Sequence, residues 1–146
     1  MTGGLYYRWT FGVVRPKGFP SGRFFPKGFS NWQCCLWFEK GTSSPVLTIS
    51  DITLSDSGKR MMYHKAWAKN ITPYAHWLMR FTDANKVVFD PFTGGGTVPA
   101  VCKMMGRRWL AFEICETTAE LARQRVRMTQ PPLPGLVIEQ MELETP

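Results

Sequence analysis

The sequence predicts an α/β fold, part of a doubly wound sheet built around one strand, glycine-loop, helix, strand unit. Three observations predict it. Lys86 to Asp90 is a β-branched apolar run of the kind found in buried parallel strands, and it stops at Asp90-Pro91-Phe92. Gly94-Gly95-Gly96 follows, then a helix-forming stretch, "TVPAVCKMMG", with Pro99 tolerated in its first turn and Gly106 placed to end it. "WLAFE", residues 109–113, is a second buried strand ending in an acidic residue, Glu113. That order is the nucleotide-binding half unit of a doubly wound sheet.

The other elements are read in chain order. Leu5 to Val14 and Asn31 to Lys40 are rich in aromatic and β-branched residues and predict strands. The Pro- and Gly-rich "RPKGFPSGRFFPKGFS" between them predicts a long loop. It interleaves Arg15, Lys17, Arg23 and Lys27 with Phe19, Phe24, Phe25 and Phe29, a mixture suited to phosphate contact and base stacking. A solvated loop with its phenylalanines tucked under the sheet fits equally well. "VLTIS" predicts a short strand and "DITLSDSGKR" an exposed connection. A helix begins near Thr72, its candidate N-cap, and runs through Phe81 with Trp77, Leu78 and Phe81 on one face. A last helix stops before "QPPLPG", and "LVIEQMEL" beyond it is a candidate edge strand.

Composition narrows the class. A chain of 146 residues with 44% hydrophobic and 14% aromatic content suits one packed domain. Residues 1–60 would form a strand–loop–strand part, 61–130 the ligand-binding part and 131–146 a tail. There is neither a membrane-length apolar run nor the form of a signal peptide, so the expectation is a soluble, cytoplasmic protein of a bacterium or a virus-infected cell. Cys34, Cys35, Cys102 and Cys115 have no metal-binding spacing and read as reduced core or near-core thiols, and His64 and His76 as structural; no metal is expected. A net charge of +7 suits a polyanionic partner.

The loop and its flanks define a ligand. Backbone amides in a glycine loop and at a helix N-terminus favour an anionic or strongly polar group. Glu113 follows Asp90 at close to the ~20-residue spacing at which an acidic side chain receives ribose hydroxyls. A dinucleotide is disfavoured, because its fingerprint requires a third glycine where this chain has Pro99.

"DPFTGGGTVPAVCKMMGRRWLAFEICETTAELARQRV" resembles the cofactor motif of the S-adenosylmethionine-dependent DNA amino-methyltransferases. The matching positions are Asp90, Pro91, Phe92, Gly94, Gly96, Thr97, Gly106, Arg107, Glu113, Ala122 and Arg125. Gly95 stands where that family usually has Ser. Upstream, "HKAWAKNITPYAHWLMRFT" is similar to the family's cofactor-flanking segment, with Lys69-Asn70 in place of Lys-Pro, and residues 6–41 are similar in rhythm to its strand, variable loop and strand. The resemblance implies a partial Rossmann-like sheet of the class I methyltransferase type, of the subclass whose cofactor motif lies near the C-terminus. It also implies S-adenosylmethionine as cofactor, with Asp90, Pro91, Phe92, Gly94, Gly96, Thr97, Glu113 and Lys69 around it, and DNA as partner.

The family polarises the target amine with an Asp, Asn or Ser before Pro-Pro and an aromatic residue. In this chain the one Pro-Pro is Pro131-Pro132, flanked by Gln130 and Leu133, and Leu133 cannot stack a flipped base. It reads as a helix-terminating linker, so no catalytic residue is assigned. The catalytic loop is then expected before residue 1 or on a second chain. Two functions remain open: a DNA amino-methyltransferase in incomplete form, or a catalytically empty module that holds S-adenosylmethionine, DNA or a protein partner.

Overall fold

The computed structural model describes residues 4–20, 29–41, 45, 47–55, 69–84 and 86–131. Side chains of residues 16–20 and 29–31 lie outside that description, as do Arg23, Lys27, His64, Leu133 and the candidate strand "LVIEQMEL".

β1 (Tyr6–Pro20) and β2 (Phe29–Glu39) pair antiparallel from Tyr6 with Glu39 to Pro20 with Phe29. Residues 15–20 and 29–30 of the expected long loop are therefore strand, and 21–28 lie outside the described residues. Pro16 is accommodated because the register shifts between Val14 and Phe19, and a bulged stretch does not require the ladder hydrogen bond that Pro16 cannot donate. β3 (Ile52–Leu54) runs parallel to β1 on its other side, Gly12 facing Ile52 and Leu54 facing Val14. The strand expected at "VLTIS" is thus displaced into the segment read as an exposed connection. Thr48 and Leu47 are engaged instead by the end of the next helix: Arg80 Nε donates to the Thr48 carbonyl at 2.8 Å, and the Leu47 amide donates to the Arg80 carbonyl.

α1 (Ile71–Phe81) starts two residues earlier than expected. Asn70, not Thr72, is its N-cap, and Asn70 Oδ1 accepts the Thr72 amide at 3.0 Å. The departure from Lys-Pro at 69–70 thereby supplies a side-chain cap that proline could not. α1 packs on the first sheet through aromatic rings, Phe11 against Trp77 and Phe81, and Trp37 against Phe81 at 4.9 Å.

The second sheet is the predicted unit. β4 (Val87–Asp90), α2 (Thr97–Met104) and β5 (Arg108–Ala111) form a right-sized crossover, and β4 pairs parallel with β5, Val87 beside Arg108 and Asp90 beside Ala111. Gly106, at φ +64, ends α2 in the left-handed conformation expected of it. β5 is shorter than the expected 109–113, yet its pairing continues irregularly, since the Phe112 amide donates to the Asp90 carbonyl at 3.0 Å and the Thr93 amide to the Phe112 carbonyl at 2.9 Å. α3 (Glu116–Met128) packs on α2, whose Ala100, Val101 and Cys102 are fully buried.

All four cysteines are free, but only Cys102 is buried; Cys34 and Cys115 are exposed, which corrects the reading of all four as core or near-core. Cys34 is exposed on β2, and Cys115 is the N-cap of α3. Among the described residues no helix is long and apolar enough to cross a membrane, and no group of side chains could hold a metal ion.

Candidate functional site

The site lies where the parallel strands end, the position at which open α/β sheets take their ligands. Asp90 closes β4, and its Oδ1 accepts the Phe92 amide at 3.2 Å, a short side-chain turn that starts the loop. Gly94 and Gly96 have φ +50 and +72, conformations that residues with a Cβ rarely adopt. Across the loop, the Glu113 carboxylate binds two amides: Oε2 accepts from Gly94 at 3.0 Å and Oε1 from Cys115 at 3.0 Å. A carboxylate offers about four acceptor positions, so after these two bonds it retains capacity for a pair of hydroxyls. The same side chain therefore ties the β4 loop to the start of α3 and presents an anion at the cleft.

The two positive-φ glycines do different work. A Cβ on Gly94 would meet nothing within 4 Å, so the main chain there is open to a ligand. A Cβ on Gly96 would stand 2.9 Å from Ala122 Cβ and 3.0 Å from Ala122 Cα. Gly96 is thus the close-approach point of the loop and α3. Arg125, one turn further along α3, is buried and clamps the loop, its Nη1 donating to Thr97 Oγ1 at 2.8 Å and to the Gly95 carbonyl at 3.2 Å. Burial lowers the Arg125 pKa, yet the guanidinium remains charged at neutral pH. Gly96→Ala is expected to cost about 3 kcal/mol, combining left-handed strain with overpacking, whereas Gly94→Ala should cost about 1–2 kcal/mol from strain alone. Urea unfolding of the two variants checks the order.

A groove of about 610 Å³ opens beside the loop, lined by Thr93 and Glu113 at one end and by Trp109, Ala119, Ala122 and Val126 along β5 and α3. At the ligand edge stand two apolar side chains with almost no protein cover, Phe92 and Ile114. The Thr93 hydroxyl and Arg125 Nη2 are buried without a hydrogen-bond partner. A second depression of about 510 Å³, against Arg8, Trp9 and Asp51, touches none of these residues.

Residues 75–124 match the family described as DNA methylase. Over those residues the chain is similar to the DNA methylases. A stretch of 46 residues is 44% identical to the type II methyltransferase M.BamHI of Bacillus amyloliquefaciens, covering 30% of this chain and 11% of that protein. The fold overlays on M1.HpyAVI, solved as a complex with SAM, with a TM-score of 0.71 at 18% identity over 86% of this chain and 64% of that one. It overlays on the cytosine-N4-specific PvuII DNA methyltransferase with the same TM-score of 0.71, at 15% identity over 94% of this chain and 55% of that one. At such identities the likeness is one of fold. The chain spans less than two thirds of the length of each of these proteins.

Of the residues expected at a methylase cofactor site, Glu113 lines the groove and is bonded to Gly94, while Asp90, Pro91 and Phe92 form the turn that leads into that loop. Thr97 is buried with its hydroxyl given to Arg125, and Gly96 faces Ala122, so both shape the loop from behind. Lys69 is exposed one residue before the α1 cap and makes no hydrogen bond or ion pair among the described residues. Arg15 is half-buried within β1, and the backbone of Lys17 lies in the same strand; Arg23 and Lys27 fall outside the described residues. Arg107, matched in the sequence but given no role, is buried and donates to the Thr82 carbonyl at 3.0 Å and the Met105 carbonyl at 3.1 Å, which fastens the end of α1 to the start of β5.

Ile114 and the thiol of Cys115 were not legible as site residues. Cys115 Sγ lies 3.1 Å from Thr117 Oγ1, and hydrogen bonds from the Thr117 and Thr118 hydroxyls bring its pKa down to about 7. Burial pushes Cys102 up to about 11. The thiolate is the nucleophile, so iodoacetamide at pH 7.5 should label Cys115 and spare Cys102. Labelling of Cys115 should fall as pH drops through 7, where the thiol reprotonates; peptide mass spectrometry of a pH series reads both.

Proposed function

We propose that this chain is the cofactor-binding part of an S-adenosylmethionine-dependent DNA amino-methyltransferase acting on adenine or cytosine. The observation that carries the proposal is the Glu113 carboxylate, held against the open Gly94 main chain at the end of a parallel strand pair. The residues fit the cofactor. Glu113 retains acceptors for the ribose hydroxyls, open space at Gly94 admits a close-lying chain, and the unpartnered Thr93 hydroxyl is a further polar contact. Phe92 and Ile114 offer apolar surface to a flat base. Asp90 stands at the loop mouth as a carboxylate for the cofactor's amino group, and Lys69 is placed by family resemblance alone. When bound, the cofactor supplies an activated methyl group.

Calorimetric titration of the chain with S-adenosylmethionine tests this reading, with one-to-one binding expected. DNA is the proposed partner, met by Arg15, Lys17, Arg23 and Lys27. If these neutralise phosphates, each contributes a slope of about 0.9 in log affinity against log salt on duplex DNA. Replacing all four by Ala should flatten that dependence, and an unaltered slope places the DNA surface elsewhere.

The amine-polarising group is proposed to come from a further polypeptide segment, in cis or on a second chain. A second reading, a catalytically empty module, is favoured by one feature: Gln130-Pro131-Pro132-Leu133 offers no aromatic partner for a flipped base. A methyl-transfer assay with and without a segment carrying Asp, Asn or Ser followed by Pro-Pro and an aromatic residue separates the two.

A further inference from the structure

The depression of about 510 Å³ on the first sheet is walled by aromatic rings. Trp9 pairs with Trp37 across β1 and β2, and Phe11, two residues further along β1, shares their face. The Phe11 and Trp37 rings lie 22° from parallel with centroids 6.1 Å apart, and Phe81 at the end of α1 closes against both. Trp9 is 53% exposed, so its ring is the open wall.

The polar groups come from a bulge and a turn. The register shifts between Tyr7 and Trp9, which makes Arg8 an extra residue on β1 and re-aims its side chain. Arg8 forms an ion pair with Glu39, which is buried on the face that Trp37 occupies. Across the depression, the Gly12 amide donates to the Asp51 carbonyl at 2.7 Å and fixes that main chain beside β1, while Ser50 Oγ accepts the Ile52 amide at 3.3 Å. The Asp51 side chain is exposed and has no partner among the described residues.

The charges are therefore uneven. Arg8 is neutralised by Glu39, whereas Asp51 carries its charge alone. Arg80, the basic residue in the last turn of α1, gives its N–H groups to the Thr48 and His76 carbonyls and does not line the depression. Ring faces carry the negative part of an aromatic quadrupole and attract a cation. A guanidinium is flat, weakly hydrated and able to fork onto a carboxylate, so it matches walls of Trp with one unbalanced Asp better than a compact ammonium does.

Position and charge both disfavour DNA here. Tyr74, in the first turn of α1, has its pKa raised chiefly by burial and further by Asp90 of the cleft and Cys35 of β2, with Arg15 of β1 opposing. The start of α1 thus looks toward the cleft, and Phe81, beside the depression, stands at the other end of the helix. The one unbalanced charge is negative and repels phosphate.

We propose that this depression is a binding site for a guanidinium group, the side chain of an arginine, laid against Trp9 and Trp37 with its N–H groups on the Asp51 carboxylate. Ser50 Oγ keeps a lone pair for a further N–H. The site is separate from the cofactor cleft and does not depend on how that cleft is read.

Calorimetric titration of the 146-residue chain with acetyl-arginine amide tests the proposal, with saturable one-to-one binding expected on the order of a millimolar or tighter. Acetyl-citrulline amide, of the same shape without the charge, should bind at least about tenfold more weakly. Asp51→Asn and Trp9→Ala should each weaken the arginine probe about fivefold to tenfold. Both side chains are exposed, and Asp51 holds β1 through its carbonyl, so circular dichroism should match wild type; where Trp9→Ala fails to fold, Asp51→Asn decides alone. A glycine-flanked arginine peptide and free L-arginine separate the sources. Tighter binding of the peptide assigns the site to an arginine within a polypeptide, equal or tighter binding of the free amino acid to a small guanidinium compound, and either supports a guanidinium site. Citrulline binding equal to arginine, affinity indifferent to Asp51→Asn, no saturation up to about ten millimolar, or preferential binding of a deoxynucleoside monophosphate overturns the proposal.

Discussion

Incubated with S-adenosylmethionine and unmethylated DNA, the isolated 146-residue chain is expected to bind cofactor and transfer no methyl group above background. Attack by an exocyclic amine requires acceptors that polarise it, because its lone pair is delocalised into the ring, and an aromatic face for the base withdrawn from the stack. Loss of one transition-state group commonly lowers a rate by about a hundredfold to a thousandfold, and here the whole acceptor-and-stacking set is missing. Supplying a segment with the Pro-Pro-aromatic motif should restore transfer, and Asp90→Ala in the restored enzyme should abolish it. A tritium-transfer assay run beside calorimetry reads chemistry and binding separately. Robust methylation by the chain alone would direct attention to Gln130, Pro131 and Pro132.

Glu113 carries the second large effect. Losing two ribose contacts to a charged acceptor should weaken S-adenosylmethionine binding by roughly 1.5–3 kcal/mol per bond, or about tenfold to over a hundredfold each. The structure adds a sharper comparison. Both carboxylate oxygens accept backbone amides, from Gly94 and Cys115, so the nearly isosteric Glu113→Gln must turn an NH2 group toward one of those N–H donors. Glu113→Gln is therefore expected to bind almost as poorly as Glu113→Ala, and both should speed amide exchange at Gly94. Calorimetry with exchange mass spectrometry measures the pair; wild-type affinity in either variant would leave Glu113 a purely structural brace.

The strand, glycine-loop, helix, strand unit and its acidic terminus were legible in the sequence because each rests on local chemistry. A β-branched run, glycines at positive φ, Pro99 in a first turn and Gly106 past a helix end state their conformations without distant partners. The first 55 residues were less legible. Proline and glycine near the hairpin tip mimic a loop, but pairing over the length of β1 and β2 outweighs local preference, with a register shift absorbing Pro16. The strand at Ile52–Leu54 exists because β1 offers an edge, and no pattern within three residues could announce that. Thr72 lost the cap to Asn70 because a cap is decided by which side chain reaches the free amide.

By itself the sequence determined the kind of cleft this protein has, since loop composition and the spacing to Glu113 are properties of consecutive residues. Only the tertiary structure decided which of those residues stand at the open end of the loop. Gly96 and Thr97 belong to the packing of the loop on α3, because Ala122 and Arg125 approach from a helix more than twenty residues away, while Gly94 and Glu113 keep their polar groups at the open end. The exposure of Trp32, Leu36 and Phe89 was equally hidden, because exposure depends on which layers are present to cover an apolar side chain rather than on that side chain's place in the chain.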